Sequence, residues 1–279
     1  DEFVHLGLHV SPDIDTLVYT LAGLVDEERG WALKDETWNF LGALKDLGGE
    51  TWFNLGDKDL AMHVERTKQL RSGCNLSQVT KNLSSALGVK ISIFPMTDSP
   101  VETTVETDDG PLAFQHYFVR DKCNPKVTGF EFKGLDIARP TDDINKFNGE
   151  KQRALLIAPS NPFVSIDPIL HISNLKETFK ESCRVKLADS PIVGGIAIKG
   201  PAAKMMTELG IPSTATEVAR HYSGLVDGIV IDEVDREQVR QIESLGIKTF
   251  VTKTVMSTID DKISLAAECI EFIDYLARK

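Results

Sequence analysis

The chain has 279 residues, of which 42% are apolar and 26% are charged. This length and composition predict one large or two modest folded domains, and they exclude a disordered chain, a collagen and a small disulfide scaffold. The formal net charge is −11, from 31 basic and 42 acidic residues, and no basic run stands out, which disfavours nucleic-acid binding. An acidic protein that handles phosphates usually needs a metal ion between its carboxylates and the substrate.

The cysteines are far apart and form no CxxC pair, which is typical of free thiols in a reducing compartment: Cys74, Cys123, Cys183 and Cys269. We therefore expect a cytoplasmic protein. No stretch approaches the ~18 apolar residues needed to cross a membrane. The chain opens with Asp1-Glu2-Phe3, without an initiator methionine or a signal peptide, and we expect its natural beginning to precede it.

Helix signals mark the first part of the chain. Ser11 followed by Pro12 predicts a helix start, since serine favours the N-cap and proline the first helical position. A second helix is expected after Gly56, and a third over about 75–87. The expected apolar stripes are Leu17, Val18, Leu21, Leu24 and Val25 in the first helix, and Leu60, Val64, Thr67 and Leu70 in the second.

Strand signals begin at residue 89. The β-rich segments are 89–94, 101–107, 111–119 and 127–132, with a hairpin turn at Asp108-Asp109-Gly110. Apolar runs at 154–158, 185–187, 228–231 and 247–251 alternate with helices and predict a buried parallel sheet. The last helix begins at Ser257 or Thr258, with Ile259, Ile263, Ala267, Ile270 and Ile273 expected inward. We predict a single doubly wound α/β domain over 1–279, with a β-rich insertion at 89–133.

Polar residues open the first two helices. Asp13 fits simple charge capping of a helix start, whereas for Asp15 capping and function are equally supported. Farther on, Asp59, His63 and Arg66 share one helix face. That face is either a solvated ladder of charges, which is the favoured interpretation, or a surface turned toward an anionic or hydroxylic ligand.

A stiff polar loop follows the strand at 154–158. It contains three prolines together with Ser160, Asn161 and Ser165, whose side chains offer donors to phosphates or bases. This composition favours a binding loop over a plain connector. A later segment, 188–201, combines glycines with Lys199 but lacks the Walker spacing, so it is a weak phosphate-loop signal.

Taken together, these segments resemble the 2-phospho-L-lactate transferase family of coenzyme F-420 biosynthesis over essentially the whole chain. The resembling blocks, in chain order, are 5–9 with 11–16, 55–66, 94–98 with 102–103, 114–115, 159–170, 190–195 with 199–201, and 232–235. The resemblance implies a three-layer Rossmann-like α/β fold with inserted helices and a β-hairpin, and a homodimer. It also implies that the family's first strand and glycine-rich phosphate loop precede residue 1.

The resemblance implies a transfer reaction. The terminal ribityl hydroxyl of the deazaflavin FO attacks the phosphorus that bears a lactyl or enolpyruvyl group in a guanosine diphosphate diester, and GMP leaves. Such a reaction requires neutralising the diphosphate charge and aligning the hydroxyl in line. Mg²⁺ is the implied cofactor.

Site residues follow from the resemblance position by position. The implied FO contacts are Asp15, Asn54 and His63, and the implied metal ligands are Asp1, Asp13 and Asp15. The implied catalytic residues are Asp15 and Asp57, with Asp59 a further candidate for metal or hydroxyl contacts. The implied nucleotide and phosphate contacts are Ser160, Asn161, Ser165 and Lys199.

Two other functions compete with the transferase. One is a non-catalytic nucleotide- or sugar-nucleotide-binding regulator on the same fold; the segments 55–63 and 159–170 resemble the transferase branch instead. The other is a dehydrogenase, which the absence of GxGxxG from the visible chain disfavours.

Overall fold

A computed structural model describes residues 3–26, 32–146 and 153–278, which fall into two compact units. Unit 1 comprises Asp1–Val105, Pro111–Pro125 and Glu131–Asn145, and unit 2 comprises Glu106–Gly110, Lys126–Phe130 and Lys146–Lys279. Within the described residues, every helix is too short or too polar to cross a bilayer. Among the described residues, no disulfide links the four cysteines.

The strands are two to seven residues long. In chain order they are β1 (Phe3–His5), β2 (Leu8–Val10), β3 (Glu102–Thr107), β4 (Leu112–Ala113), β5 (Val127–Lys133), β6 (Arg153–Ile157), β7 (Cys183–Asp189), β8 (Ile192–Val193), β9 (Ile196–Ala197), β10 (Gly228–Asp232) and β11 (Lys248–Thr252).

The helices range from a single turn to nineteen residues. In chain order they are α1 (Pro12–Leu21), α2 (Asn39–Asp46), α3 (Asp57–Arg71), α4 (Leu76–Ala86), α5 (Asp142–Asn145), α6 (Asp167–Leu170), α7 (Leu175–Ser182), α8 (Ala202–Glu208), α9 (Ala215–His221), α10 (Val239–Glu243) and α11 (Ile259–Ala277).

Unit 2 is built on a four-stranded parallel sheet in the order β11-β10-β7-β6. β10 is buried along its whole length. Leu265 and Phe272 of α11 pack in one apolar cluster with Leu187 of β7 and Val230 of β10. The predicted α/β fold with a parallel sheet is therefore confirmed, but the prediction that the strand at 154–158 is buried is wrong, because β6 lies at the sheet edge with Ala154 and Leu156 exposed.

Unit 1 carries an antiparallel hairpin, β1-β2, and the helices α1 to α4. Ser11 stands at the N-cap of α1 with Pro12 in its first turn, as predicted. Asn75 caps α4 and forms a capping box with Gln78. These local signals explain why the starts of α1 and α4 were predictable from the sequence.

A second sheet has the order β4-β3-β5. Its β3-β4 turn contains Gly110 at φ 107°, a left-handed conformation that favours glycine. The predicted strand 111–119 is wrong beyond Ala113, because a π-helical turn occupies His116–Arg120. The predicted strand 89–94 is also wrong: this segment is irregular, Val89 and Ile93 pack in one apolar cluster with Val18 and Tyr19 of α1, and Ile91 is exposed.

The predicted apolar faces of three helices are partly wrong. In α1, Leu17 and Leu21 are exposed, whereas Val18 is buried. In α3, Val64 is exposed, and in α11 the exposed residues are Ile259, Ile263 and Ile270, while Leu265, Cys269 and Phe272 are buried. The apolar residues of α1 and α11 spread over more than one face, and α3 buries the polar His63, Arg66 and Thr67, so periodicity alone does not select the buried face.

Candidate active site

The site lies in unit 1, where α1 and α3 bury polar side chains. Asp15 of α1 is 4% exposed, and on α3 His63 and Arg66 are 1% and 2% exposed. The interpretation of the α3 face as a solvated ladder of charges is therefore wrong. Charged groups buried to this degree are normally paired or bind a ligand, which makes this cluster the candidate active site.

The backbone before α3 fixes where its first turn begins. Glu36 accepts hydrogen bonds from the backbone N–H groups of Lys58 (2.8 Å) and Asp59 (3.1 Å) and so caps the helix. A Cβ on Gly56, the N-cap residue, would lie 2.2 Å from Cγ of Glu36, so a larger residue here would displace this capping side chain. Farther along α3, the Oγ1 atom of Thr67 accepts a hydrogen bond from the backbone N–H of His9 in β2 at 2.8 Å.

Asp15 is held by a buried guanidinium. Arg66 donates through Nη2 to Oδ1 of Asp15 and also donates through Nη1 to Nδ1 of His63 at 3.0 Å. The second Asp15 oxygen, Oδ2, lies 3.7 Å from Nδ1 of His63 and has no hydrogen-bond partner among the described residues. Asp15 therefore keeps one free oxygen in a buried site.

Asp59 is held by a buried phenol. The hydroxyl of Tyr19 donates to Oδ1 of Asp59 at 2.6 Å, which leaves Oδ2 available. Nε2 of His63 lies 3.2 Å from that Oδ2, but outside hydrogen-bonding geometry. Asp15, Asp59 and His63 each offer one ligand atom, and these atoms all lie within 4.8 Å of one another.

The surroundings move the two carboxyl pKa values in opposite directions. Burial raises the pKa of Asp15, although Arg66 and His63 oppose the shift. Burial also works to raise the pKa of Asp59, but the nearby His63 and the Tyr19 hydroxyl outweigh it and hold that pKa below its ordinary range. Two carboxyl groups with diverging pKa values are typical of sites that divide proton transfer and charge binding between them.

Other predicted residues in unit 1 lie outside this cluster. Asp13 and Asn54 are exposed, and Asp1 lies outside the described residues. Asp57 accepts hydrogen bonds from the Thr37 hydroxyl (2.6 Å), the Asn39 side chain (2.8 Å) and the Phe40 backbone N–H (2.9 Å). These hydrogen bonds lower the pKa of Asp57 to about 2 and tie the carboxylate to the start of α2.

The predicted nucleotide contacts lie in unit 2. Asn161 caps a π-helical turn, Pro162–Ile166, by accepting from the N–H of Phe163, and its Nδ2 lies 3.2 Å from Sδ of Met205. Ser160 is half-buried, whereas Ser165 and Lys199 are exposed. The polar loop after β6 is thus an ordered turn, and its role toward a nucleotide stays a prediction.

Sequence reasoning missed Tyr19. The signal was available, since Tyr19 lies four residues after Asp15 and therefore on the same side of α1. It also missed that Arg66 joins Asp15 to His63, because the two helices that meet here are about forty residues apart in the chain.

Known proteins match nearly the whole chain. The family model "2-phospho-L-lactate transferase CofD" matches residues 4–265. A phosphoenolpyruvate transferase of Streptomyces griseus is 37% identical, over 97% of this chain and 87% of the relative. A 2-phospho-L-lactate transferase of Methanosarcina mazei is 35% identical, over 93% and 85%.

A solved structure supports the fold. A UPF0052 family protein of Bacillus halodurans superposes with a TM-score of 0.58 at 15% identity, covering 94% of this chain and 84% of that one. The two relatives are named as transferases, so the alternative of a non-catalytic regulator is not favoured. With a family model matched over most of its length and relatives above 30% identity, the chain belongs to the 2-phospho-L-lactate transferase CofD family.

Proposed function

We propose that this protein transfers a 2-phospholactyl-type or phosphoenolpyruvyl-type group from a guanosine diphosphate diester to the terminal ribityl hydroxyl of FO, releasing GMP, in coenzyme F-420 biosynthesis. The observation that carries the proposal is the buried Asp15–Asp59–His63 cluster on the two helices that bear the family's motifs. Relatives named for either group match at similar identity, so the proposal covers both.

In the proposed reaction, the hydroxyl oxygen forms a bond to the phosphorus that bears the three-carbon acid. The bond from that phosphorus to the bridging oxygen breaks, and GMP leaves with the electron pair. The hydroxyl proton passes to a carboxylate, for which Asp15 is suited, because its Oδ2 is free and burial raises its pKa toward the working range of a base. Asn54 and His63 are the further proposed contacts to FO.

The cluster fits a hard cation at its oxygen atoms. Mg²⁺ prefers oxygen ligands and is usually held by one or two carboxylates together with substrate phosphates. Oδ2 of Asp59 is such a ligand, and the resemblance adds Asp13 and Asp1. Asp15 is implied both as a ligand and as a base; its one free oxygen serves one role at a time, and the raised pKa favours the base. When bound, Mg²⁺ would neutralise diphosphate charge.

The nucleotide end is proposed to bind in unit 2. Ser160, Ser165 and Asn161 lie on the ordered turn that follows β6, and Lys199 precedes α8. The carboxyl ends of parallel strands are where such sheets bind nucleotides, which supports this assignment. The homodimer and the cytoplasmic location stay predictions.

A single-turnover assay tests the proposed function. Protein in excess over the diester is mixed with FO and Mg²⁺, and GMP and the deazaflavin phosphodiester are measured together, so that even a slow enzyme gives a full turnover. Asp59→Asn is expected to lose this burst. Glu65→Gln, which changes a carboxylate of the same helix that pairs with Lys68, is the control and is expected to keep it. Wild-type protein that forms no phosphodiester would refute the proposal.

A further inference from the structure

The Arg66–His63 contact fixes where the histidine proton sits. Nη1 of Arg66 lies 3.0 Å from Nδ1 of His63, and both residues are buried. A guanidinium has donors only, so Nδ1 must be the acceptor and carries no proton. A proton on Nδ1 would place two donors face to face. The remaining tautomer of the neutral ring has its proton on Nε2.

The Nε2–H group has no partner in the described part of the chain. Nε2 is buried and unpartnered, 3.2 Å from Oδ2 of Asp59 but misaligned for a hydrogen bond. Tyr19 already occupies the other Asp59 oxygen at 2.6 Å, so Oδ2 remains free to accept. A buried N–H donor beside a carboxylate acceptor is complementary to a hydroxyl group, which accepts one hydrogen bond and donates another.

We propose that Arg66 is a positioning residue that sets the tautomer of His63, so that His63 donates from Nε2 to a ribityl hydroxyl of the acceptor and does not ligate the metal ion. A metal at Nε2 would need the lone pair that the proton occupies, and Nδ1 is engaged by Arg66. A cation in the cluster is therefore bound through oxygen atoms. This inference rests on the proposed function for the identity of the hydroxyl, and on geometry alone for the tautomer.

The tautomer is tested on the wild-type protein, without substrate. In ¹⁵N-histidine-labelled protein, the ring nitrogen correlations of His63, assigned by their loss in His63→Gln, are expected to show protonated Nε2 and unprotonated Nδ1. Adding Mg²⁺ should leave this pattern unchanged. A proton on Nδ1, or loss of the Nε2 proton on adding Mg²⁺, would overturn the proposal.

Two binding experiments separately test that His63 does not ligate the metal ion and that it donates to a hydroxyl of the acceptor. With Mn²⁺ as an electron paramagnetic resonance probe, His63→Gln is expected to bind within about twofold of wild type, because the lost side chain is not a ligand, whereas Asp59→Asn should lose at least about tenfold. An equal loss in both variants would contradict the inference. The control is His171→Gln, which replaces an exposed histidine of unit 2 and is expected to leave Mn²⁺ binding unchanged.

In a fluorescence titration with FO, His63→Leu removes the donor and should weaken binding about tenfold, while His63→Gln, which retains an N–H donor, should recover most of it. Equal weakening in both variants would contradict the donor role. If wild-type protein does not bind FO at all, the proposed function fails, and the tautomer and Mn²⁺ results still decide what His63 does.

Discussion

Replacing Asp15 by asparagine should impair both stability and turnover, and the ion pair indicates by how much. Asp15 and Arg66 are 4% and 2% exposed, so the substitution leaves a buried guanidinium without its counter-ion. Breaking a buried pair from one side typically costs about 3–5 kcal/mol. Asparagine retains an acceptor oxygen for Arg66, and it removes the cost of burying a carboxylate, so we expect a loss at or below the lower end of that range, about 2–3 kcal/mol.

That loss should leave the protein folded. Domains of this size are stable by about 5–15 kcal/mol, so Asp15→Asn retains a folded majority at room temperature. Turnover should nevertheless fall more than about a hundredfold, since the free oxygen proposed to accept the hydroxyl proton becomes an amide group or a neutral carbonyl. Urea denaturation measures the first effect, and GMP release measures the second.

The double variant Asp15→Asn/Arg66→Gln separates the two effects. It removes the uncompensated cation, so it should be less destabilised than the sum of the single variants while remaining inactive. An unchanged urea midpoint for Asp15→Asn would refute the buried ion pair, and near-normal kinetics would exclude Asp15 from the reaction.

Three further predictions concern other parts of the molecule. Burial and the neighbouring Asp232 raise the pKa of Asp189 to about 7, so the contribution of Asp189 to stability is complete below pH 3.8 and is lost as the pH rises through 7. Urea denaturation at each pH should therefore show Asp189→Asn gaining up to about 4 kcal/mol of stability over wild type between pH 4 and 8. A difference that does not change with pH would contradict this. Gly134→Ala should destabilise by at least about 2 kcal/mol, because φ is +87° and the new Cβ would lie 2.3 Å from the Pro100 carbonyl oxygen; an unchanged melting temperature would refute the clash. Chelation with EDTA should abolish phosphodiester formation and added Mg²⁺ should restore it; activity that persists in EDTA would contradict the proposed cofactor.

Features encoded locally were predictable from the sequence. Pro12 in the first turn of α1 and the Asn75 capping box of α4 mark their helix starts, since these side chains act on the backbone beside them, whereas Ser11 stands at the N-cap of α1 without a side-chain capping hydrogen bond. The buried parallel strands were equally visible, because a strand covered on both faces is apolar at nearly every position, as β10 is.

The sequence did not predict which helix faces are buried or which side chains meet in the candidate site. A spacing of four and three places Asp59, His63 and Arg66 on one side of α3, but it carries no information on whether that side meets water or another helix. Burial is decided by α1, whose Asp15 and Tyr19 supply the partners. The same limit explains α11, where two apolar faces compete and only contacts with the sheet identify the buried one.

The charges within the cluster argue for a bound cation. When ionised, Asp15 and Asp59 contribute two negative charges against the one positive charge of Arg66, which leaves one negative charge in excess on these three residues. Buried charge without a counter-charge is costly. A cation bound to a carboxylate oxygen supplies the missing positive charge, and it would itself attract the diphosphate. The arrangement that orients His63 toward a hydroxyl therefore also favours a metal ion at Asp59.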